Sequence, residues 1–229
     1  TMDSMKTVIG LFDDFPRAHA AVDALLFRKF DRADVSLIAN EVARSRSIAE
    51  AELLPDVVKQ EGPALGDRRT AASAGGMLGM LAGFGALTLP AIGPILATGP
   101  MLGMLAGVAV DTPGSFGGPG GLVAALEHVG APRADAEVYA EGVRRGGSLV
   151  IVRVVQIDAD VAAGVLADNG AVDIDARWRS YEDRGFTGFD PGAEPYTAEE
   201  IDRERALHGP LPADPDEDED DADPGAPAA

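Results

Sequence analysis

The sequence predicts an α+β protein: a ferredoxin-like split βαβ sandwich, opened in the middle by a glycine-zipper helical hairpin and followed by a disordered acidic C-terminal tail. Three observations carry this expectation. Strand-like and helix-like patterns alternate over 6–40 and again over 130–175, with a long insertion between them. Within that insertion, Thr70 to Val110 holds no Asp, Glu, Lys or Arg, and its glycines fall four residues apart. From Pro210 onward the chain is Asp, Pro and Ala with almost no apolar side chain, a composition that cannot offset its own ordering entropy.

Taken in order, Lys6 to Phe12 (KTVIGLF) reads as a buried strand. Asp13 and Asp14 then precede Pro16, the signals of a helix start, and Ala18, Ala21, Val22, Leu25 and Leu26 recur at helical spacing. Asp34 to Asn40 is a second strand. Pro132 opens an amphipathic helix that closes at Arg144 to Gly147, and Ser148 to Val155 (SLVIVRVV) is the most strand-like stretch of the chain. Asp158 is placed to cap a helix through Leu166, and Ala171 to Ile174 is expected as a short final strand. Four strands and two covering helices would form one small core.

The insertion spans 41–129, its first part charged and either helical or loose. The zipper hairpin, 70–110, carries Gly75, Gly79 and Gly83 in one half and Gly99, Gly103 and Gly107 in the other. MLGMLAG occurs at Met77 to Gly83 and again at Met101 to Gly107, an internal repeat offset by 24 residues. Pro90, Pro94 and Pro100 forbid one continuous helix and mark a turn region between the halves. A mid-helix glycine costs roughly 1 kcal/mol relative to alanine, so a stripe of them needs close helix approach as compensation. Met77, Met80, Met101 and Met104 would fill the flanking faces.

Three uses of the hairpin remain open: packing within one chain as a satellite core, packing between subunits into a homo-oligomer, or insertion into a bilayer. Each half offers about 15 to 19 uncharged residues against a hydrocarbon thickness of about 30 Å, marginal for spanning. Self-association is the leading expectation, membrane lipid the alternative partner. A small-molecule-sensing role for the sheet face rests on fold analogy.

Composition narrows the remaining classes. A formal charge of −19 argues against binding a nucleic-acid backbone. Eight acids crowd the tail at Asp214, Asp216, Glu217, Asp218, Glu219, Asp220, Asp221 and Asp223, and the rest of the chain is acidic as well. The absence of cysteine removes disulfides and thiolate chemistry and fits a reducing cytoplasm. Thr1 to Lys6 lacks the basic start and apolar stretch of a secretory signal.

No catalytic, cofactor or metal site is expected. His19, His128 and His208 are scattered without metal-ligand spacing. The cluster Gly117, Gly118, Pro119, Gly120 and Gly121 lacks the Lys-Ser/Thr of a phosphate loop and reads as a hinge. Asp158 and Asp160 sit at a helix start, where capping accounts for them. Ser148 has no hydrolase elbow around it, and the tail no calcium-loop glycine. In the polar extension 176–209, Trp178, Tyr181, Phe186, Phe189 and Tyr196 are five of the chain's twelve aromatic residues. They either dock back onto the body or form a partner-binding motif. Thr197 and Glu200 are spaced as a capping box for a helix through Leu207.

With KTVIGLFDDFPRAHAAVDAL, FDRADVSLIAN, PAIGPILATGP, YAEGVRRGGSLVIVRV and NGAVDID in this order, the chain resembles the bacterial general stress protein domain family. The resemblance covers about Lys6 to Asp175. It implies induction by heat or low temperature, a ferredoxin-like frame, and a glycine-rich insertion often taken to be membrane-associated. It supplies no catalytic residues.

Overall fold

The computed structural model describes residues 5–53, 85–106 and 120–208, the last five residues of the first stretch as backbone only. Among the described residues the chain forms β1 (Met5–Phe12), α1 (Phe15–Phe27), β2 (Val35–Asn40), α2 (Glu41–Leu53), β3 (Gly85–Leu89) and β4 (Gly93–Ala97). There follow α3 (Gly99–Ala106), α4 (Gly121–His128), α5 (Arg133–Arg144), β5 (Ser148–Val155), α6 (Ala159–Asp168), α7 (Ile174–Glu182) and α8 (Ala198–His208). The α+β class is as expected.

All five strands lie in one antiparallel sheet, in the order β1-β5-β2-β4-β3. β1 and β2 flank β5, with Ile9 opposite Ile151 and Leu37 opposite Val150. Local chemistry sets the elements as the sequence suggested at several points. Asp14 accepts a hydrogen bond from Arg17 N at 2.8 Å and so caps α1, with Pro16 in its first turn. Thr197 and Glu200 make the reciprocal capping box of α8: Thr197 N donates to Glu200 Oε2 at 2.8 Å, and Glu200 N donates to Thr197 Oγ1 at 3.3 Å.

Three expectations are corrected. Residues 85–97, read as a turn region between two helices, form a β-hairpin whose second strand pairs with β2. β-branched and leucine residues on a two-residue alternation outcompete a helix that Pro90 and Pro94 would break. The short strand at Ala171 to Ile174 is absent. Val172 N donates one bond to Leu11 O at 2.7 Å, beside the β1 edge, and Asp173 then caps α7 through Ala176 N. Asp158 stands at the N-terminus of α6 without a side-chain capping bond, so capping does not account for it.

The sheet separates two apolar layers. On one face α1 and α6 cover Phe12, Val35, Leu37, Ala39, Val150 and Val152. On the other, α3, α4 and α5 cover Leu11, Ile38, Leu149 and Ile151 together with Leu89 and Ile95 of the hairpin. The described part of the insertion from Gly85 to Ala106 and α4 thus contribute to the main core.

Asn40 ties the end of β2 to two helices. It is buried, its Oδ1 accepts from Val42 N and Ala43 N at the start of α2, and its Nδ2 donates to Val143 O of α5 at 3.0 Å. Asn40→Asp keeps the acceptor and replaces the donor with a carboxylate oxygen facing a carbonyl. The expected loss is about 2 kcal/mol in urea unfolding at neutral pH; an unchanged midpoint would remove Asn40 as the tie.

Candidate functional site

Four of the ten self-association candidates lie among the described residues: Gly99, Met101, Gly103 and Met104 of α3. Gly75, Met77, Gly79, Met80, Gly83 and Gly107 lie outside them, as do residues 117–119 of the hinge and the acidic tail 210–229. The four have different roles. Met101 and Leu105 point into the core, and Met101 N donates to Ser36 Oγ at 3.1 Å. Leu102 packs into the space over Gly85, where a Cβ would sit 2.3 Å from Leu102 Cδ1.

Gly99 has φ +64°, and a Cβ there would lie 2.3 Å from Val35 O. Its missing side chain serves close approach to β2, not a helix–helix ridge. Gly103 faces outward, with no atom within 4 Å of its would-be Cβ.

The aromatic candidates dock back onto the body. Tyr181 and Phe186 are buried against Val138 of α5, with Trp178 edge-on to Phe186 at 5.6 Å between ring centroids. Phe189 packs on the core layer beneath α5. Tyr196 lies under the Arg144 guanidinium, 4.8 Å from ring centroid to Cζ.

Around Tyr181 the structure assembles a group of charges that sequence reasoning missed. Glu141, 1% exposed, accepts from Arg144 Nε and Nη2 at 2.9 and 3.0 Å and from Arg145 Nε at 2.6 Å. Arg145 Nη1 donates to Glu204 Oε1 at 3.0 Å, and Arg184 Nη1 donates to both Glu204 oxygens. Arg177 pairs with Asp13 at 2.7 Å, and Arg46 of α2 with Asp202 of α8. Arg145 lies 4.3 Å over the Tyr181 ring.

Burial works against the Arg145 charge, but Glu141 and Glu204 outweigh it and its pKa is raised. Burial raises the Tyr181 phenol despite the nearby Arg177 and Arg145 cations, so it stays protonated. The space left between these groups is about 10 Å³, room for about one water. The cluster is thus a filled clasp holding α7 and α8 to the body. Its only forecast in the sequence was an aromatic group amid charge, because the partners lie far apart along the chain.

A roomier site lies where the helical layer stops short of the sheet end. A cavity of about 290 Å³ is lined by Met5 and Thr7 of β1, Asp34 and Ser36, Pro100, Met101 and Met104, His128 and Val129, and Ile151 and Arg153 of β5. Asp34 accepts from Arg153 Nη2 at 3.1 Å. Two of its lining residues, Met101 and Met104, were singled out by the glycine repeat, whereas the strand residues were not. Among the described residues, no three His, Cys, Asp or Glu side chains are grouped to hold a metal ion.

Comparison with protein families, curated proteins and solved structures yields no match.

Two predictions test these assignments. Gly99→Ala is expected to cost about 2 kcal/mol or more, because both its backbone and the Val35 carbonyl must shift. Gly103→Ala should gain up to about 1 kcal/mol from helix propensity. Equal effects in thermal melts would contradict the different roles assigned to the two glycines.

His208 gives a pH test. Arg184 Nη2 donates to His208 Nε2 at 3.0 Å, which requires the neutral imidazole. Its pKa is lowered from 6.5 by burial and by the Arg177 and Arg184 charges, against Asp13 and Glu204. The unfolded chain thus takes the proton more readily, so this contribution is complete above about pH 6.5 and declines as pH falls through that value. His208→Gln should reduce the drop in Tm between about pH 7.5 and about pH 5.5; an identical drop would remove His208 as its source.

Proposed function

We propose that the chain is a non-enzymatic, stress-related protein that self-associates into a homo-oligomer through the uncharged surface offered by β3 and α3. The carrying observation is that β3 is an edge strand, paired only with β4 among the described residues, in a segment, Gly85 to Ala106, without one charged side chain. Edge strands are ordinarily blunted by charge, and a bare one invites pairing with another chain. Gly103 lies exposed on α3, which packs beside that edge through Leu102 on Gly85. The association surface so read is a strand edge with a helix face next to it. The first half of the glycine-zipper hairpin, 70–84, lies outside the described residues.

The ferredoxin-like reading of the frame is supported by β1 and β2 on either side of β5 and by α1 and α6 on one face. The chain after α6 returns beside β1 at Val172, where a fourth strand of that frame would run. The stress reading rests on the ordered motifs between Lys6 and Asp175. Among the described residues no helix is long and apolar enough to cross a membrane. The sheet-face ligand reading has one specific support, the cavity over Thr7, Ile151 and Arg153.

Thr88→Lys on the β3 edge and Gly103→Lys on α3 each place a charge on the proposed interface. Each is expected to lower the light-scattering mass of the assembly toward that of one chain without lowering Tm by more than about 1 kcal/mol equivalent. A wild-type mass equal to one chain at tens of micromolar would end the proposal, as would variants of unchanged mass.

A further inference from the structure

We infer that the cavity at the open end of the sheet binds a single-chain amphiphile with one negative charge, such as a medium-chain carboxylate. This rests on the sheet-face ligand reading and names its ligand class.

The strand register places the relevant groups on one surface. Thr7 and Arg153 are direct cross-strand partners on β1 and β5, and Ser36 on β2 lies opposite Ile151. Because side chains alternate across a strand, Met5, Thr7, Ile151, Arg153 and Ser36 all face the layer of α3 and α4. That layer covers the sheet as far as Met101 and Val129 and leaves the last row, with Arg153 53% exposed, open to solvent.

The walls select an apolar, flexible body. Met5, Met101 and Met104 bring three unbranched thioether chains to a space floored by Ile151 and edged by Val129. Methionine adapts its shape to its contents, which suits an alkyl chain better than a rigid ring system. At about 290 Å³ the space is at the small end of the range for organic ligands, fitting a medium-length chain.

The polar groups select one negative charge at one end. Among the described residues Arg153 has a single partner, Asp34 through Nη2, leaving Nε and Nη1 to donate to a carboxylate. The Thr7 hydroxyl, on the same row, can donate as well. A phosphate dianion or nucleotide is disfavoured by Asp34 beside Arg153, the only arginine among the described lining residues, and by the net charge of −19. His128 is already engaged and is not required.

The test is calorimetric titration of the full chain with decanoate below its micellar range, with decan-1-ol as the neutral control. Decanoate is expected to bind at least tenfold more tightly than the alcohol. Arg153→Gln should weaken decanoate at least tenfold and leave the alcohol unchanged, and Arg153→Lys should restore part of the loss. Met104→Trp, which fills the cavity, should abolish both. Circular dichroism establishes that each variant is folded.

Equal binding of acid and alcohol, indifferent to Arg153, would overturn the anionic class while leaving an apolar sheet-face site. No binding of either compound, or decanoate binding that survives Met104→Trp, would overturn the sheet-face reading with it.

Discussion

The backbone of β2 is the constraint on which the architecture depends. Every residue from Val35 to Asn40 is buried, so neither its two faces nor its two hydrogen-bonding edges can be left to water. β5 takes one edge, and β4, from the insertion, takes the other. Thr98 extends that pairing, its N–H donating to Leu37 O at 2.8 Å while its hydroxyl accepts from Leu37 N at 3.0 Å. Removing the insertion would therefore strip the central strand of a partner. The same requirement explains Gly99: the chain leaving β4 must turn into α3 directly against the Val35 carbonyl, a course with no space for a side chain.

The charged clasp obeys a related rule at the other end of the core. A carboxylate as buried as Glu141 is tolerable only when its oxygens are saturated with donors, and three arginine N–H groups provide this. Arg144 and Arg145 follow Glu141 by three and four residues, so one helix presents acid and both bases on the same side. Glu204 returns the favour for Arg145 and Arg184 from α8. In a strongly acidic protein, a large share of its arginines is committed to holding its own C-terminal elements in place.

Local signals were legible in the sequence, and long-range ones were not. The Asp14 cap, the Thr197 and Glu200 box, and the strands β1, β2 and β5 all follow from residues within a few places of one another. The β-hairpin at Gly85 to Ala97 was obscured by its own composition, since glycine, alanine and leucine suit a tight helix pair as well as a strand beside a helix. The four-residue glycine spacing suggested one purpose for positions that the fold uses separately: Gly99 admits a carbonyl, and Gly103 meets nothing. Ala171 to Ile174 had strand-like character, but only Val172 meets β1 before Asp173 starts a helix. The clasp and the cavity were hidden for a different reason, because Asp13 with Arg177, Arg145 with Glu204, and Thr7 with Arg153 become neighbours only once the sheet exists.

The attachment of α7 and α8 has a consequence for how the molecule comes apart. Its ionic ties, Arg177 to Asp13, Arg145 to Glu204 and Arg46 to Asp202, join segments separated by more than fifty residues, and buried Tyr181, Phe186 and Ile201 add an apolar anchor beside them. Loop-closure entropy makes such contacts late to form, and of the three pairs only Arg46 with Asp202 is exposed enough for dissolved ions to weaken it. High salt would thus loosen only the contact between α2 and α8, while Tyr181, Phe186 and Ile201 stay covered until the body beneath them opens.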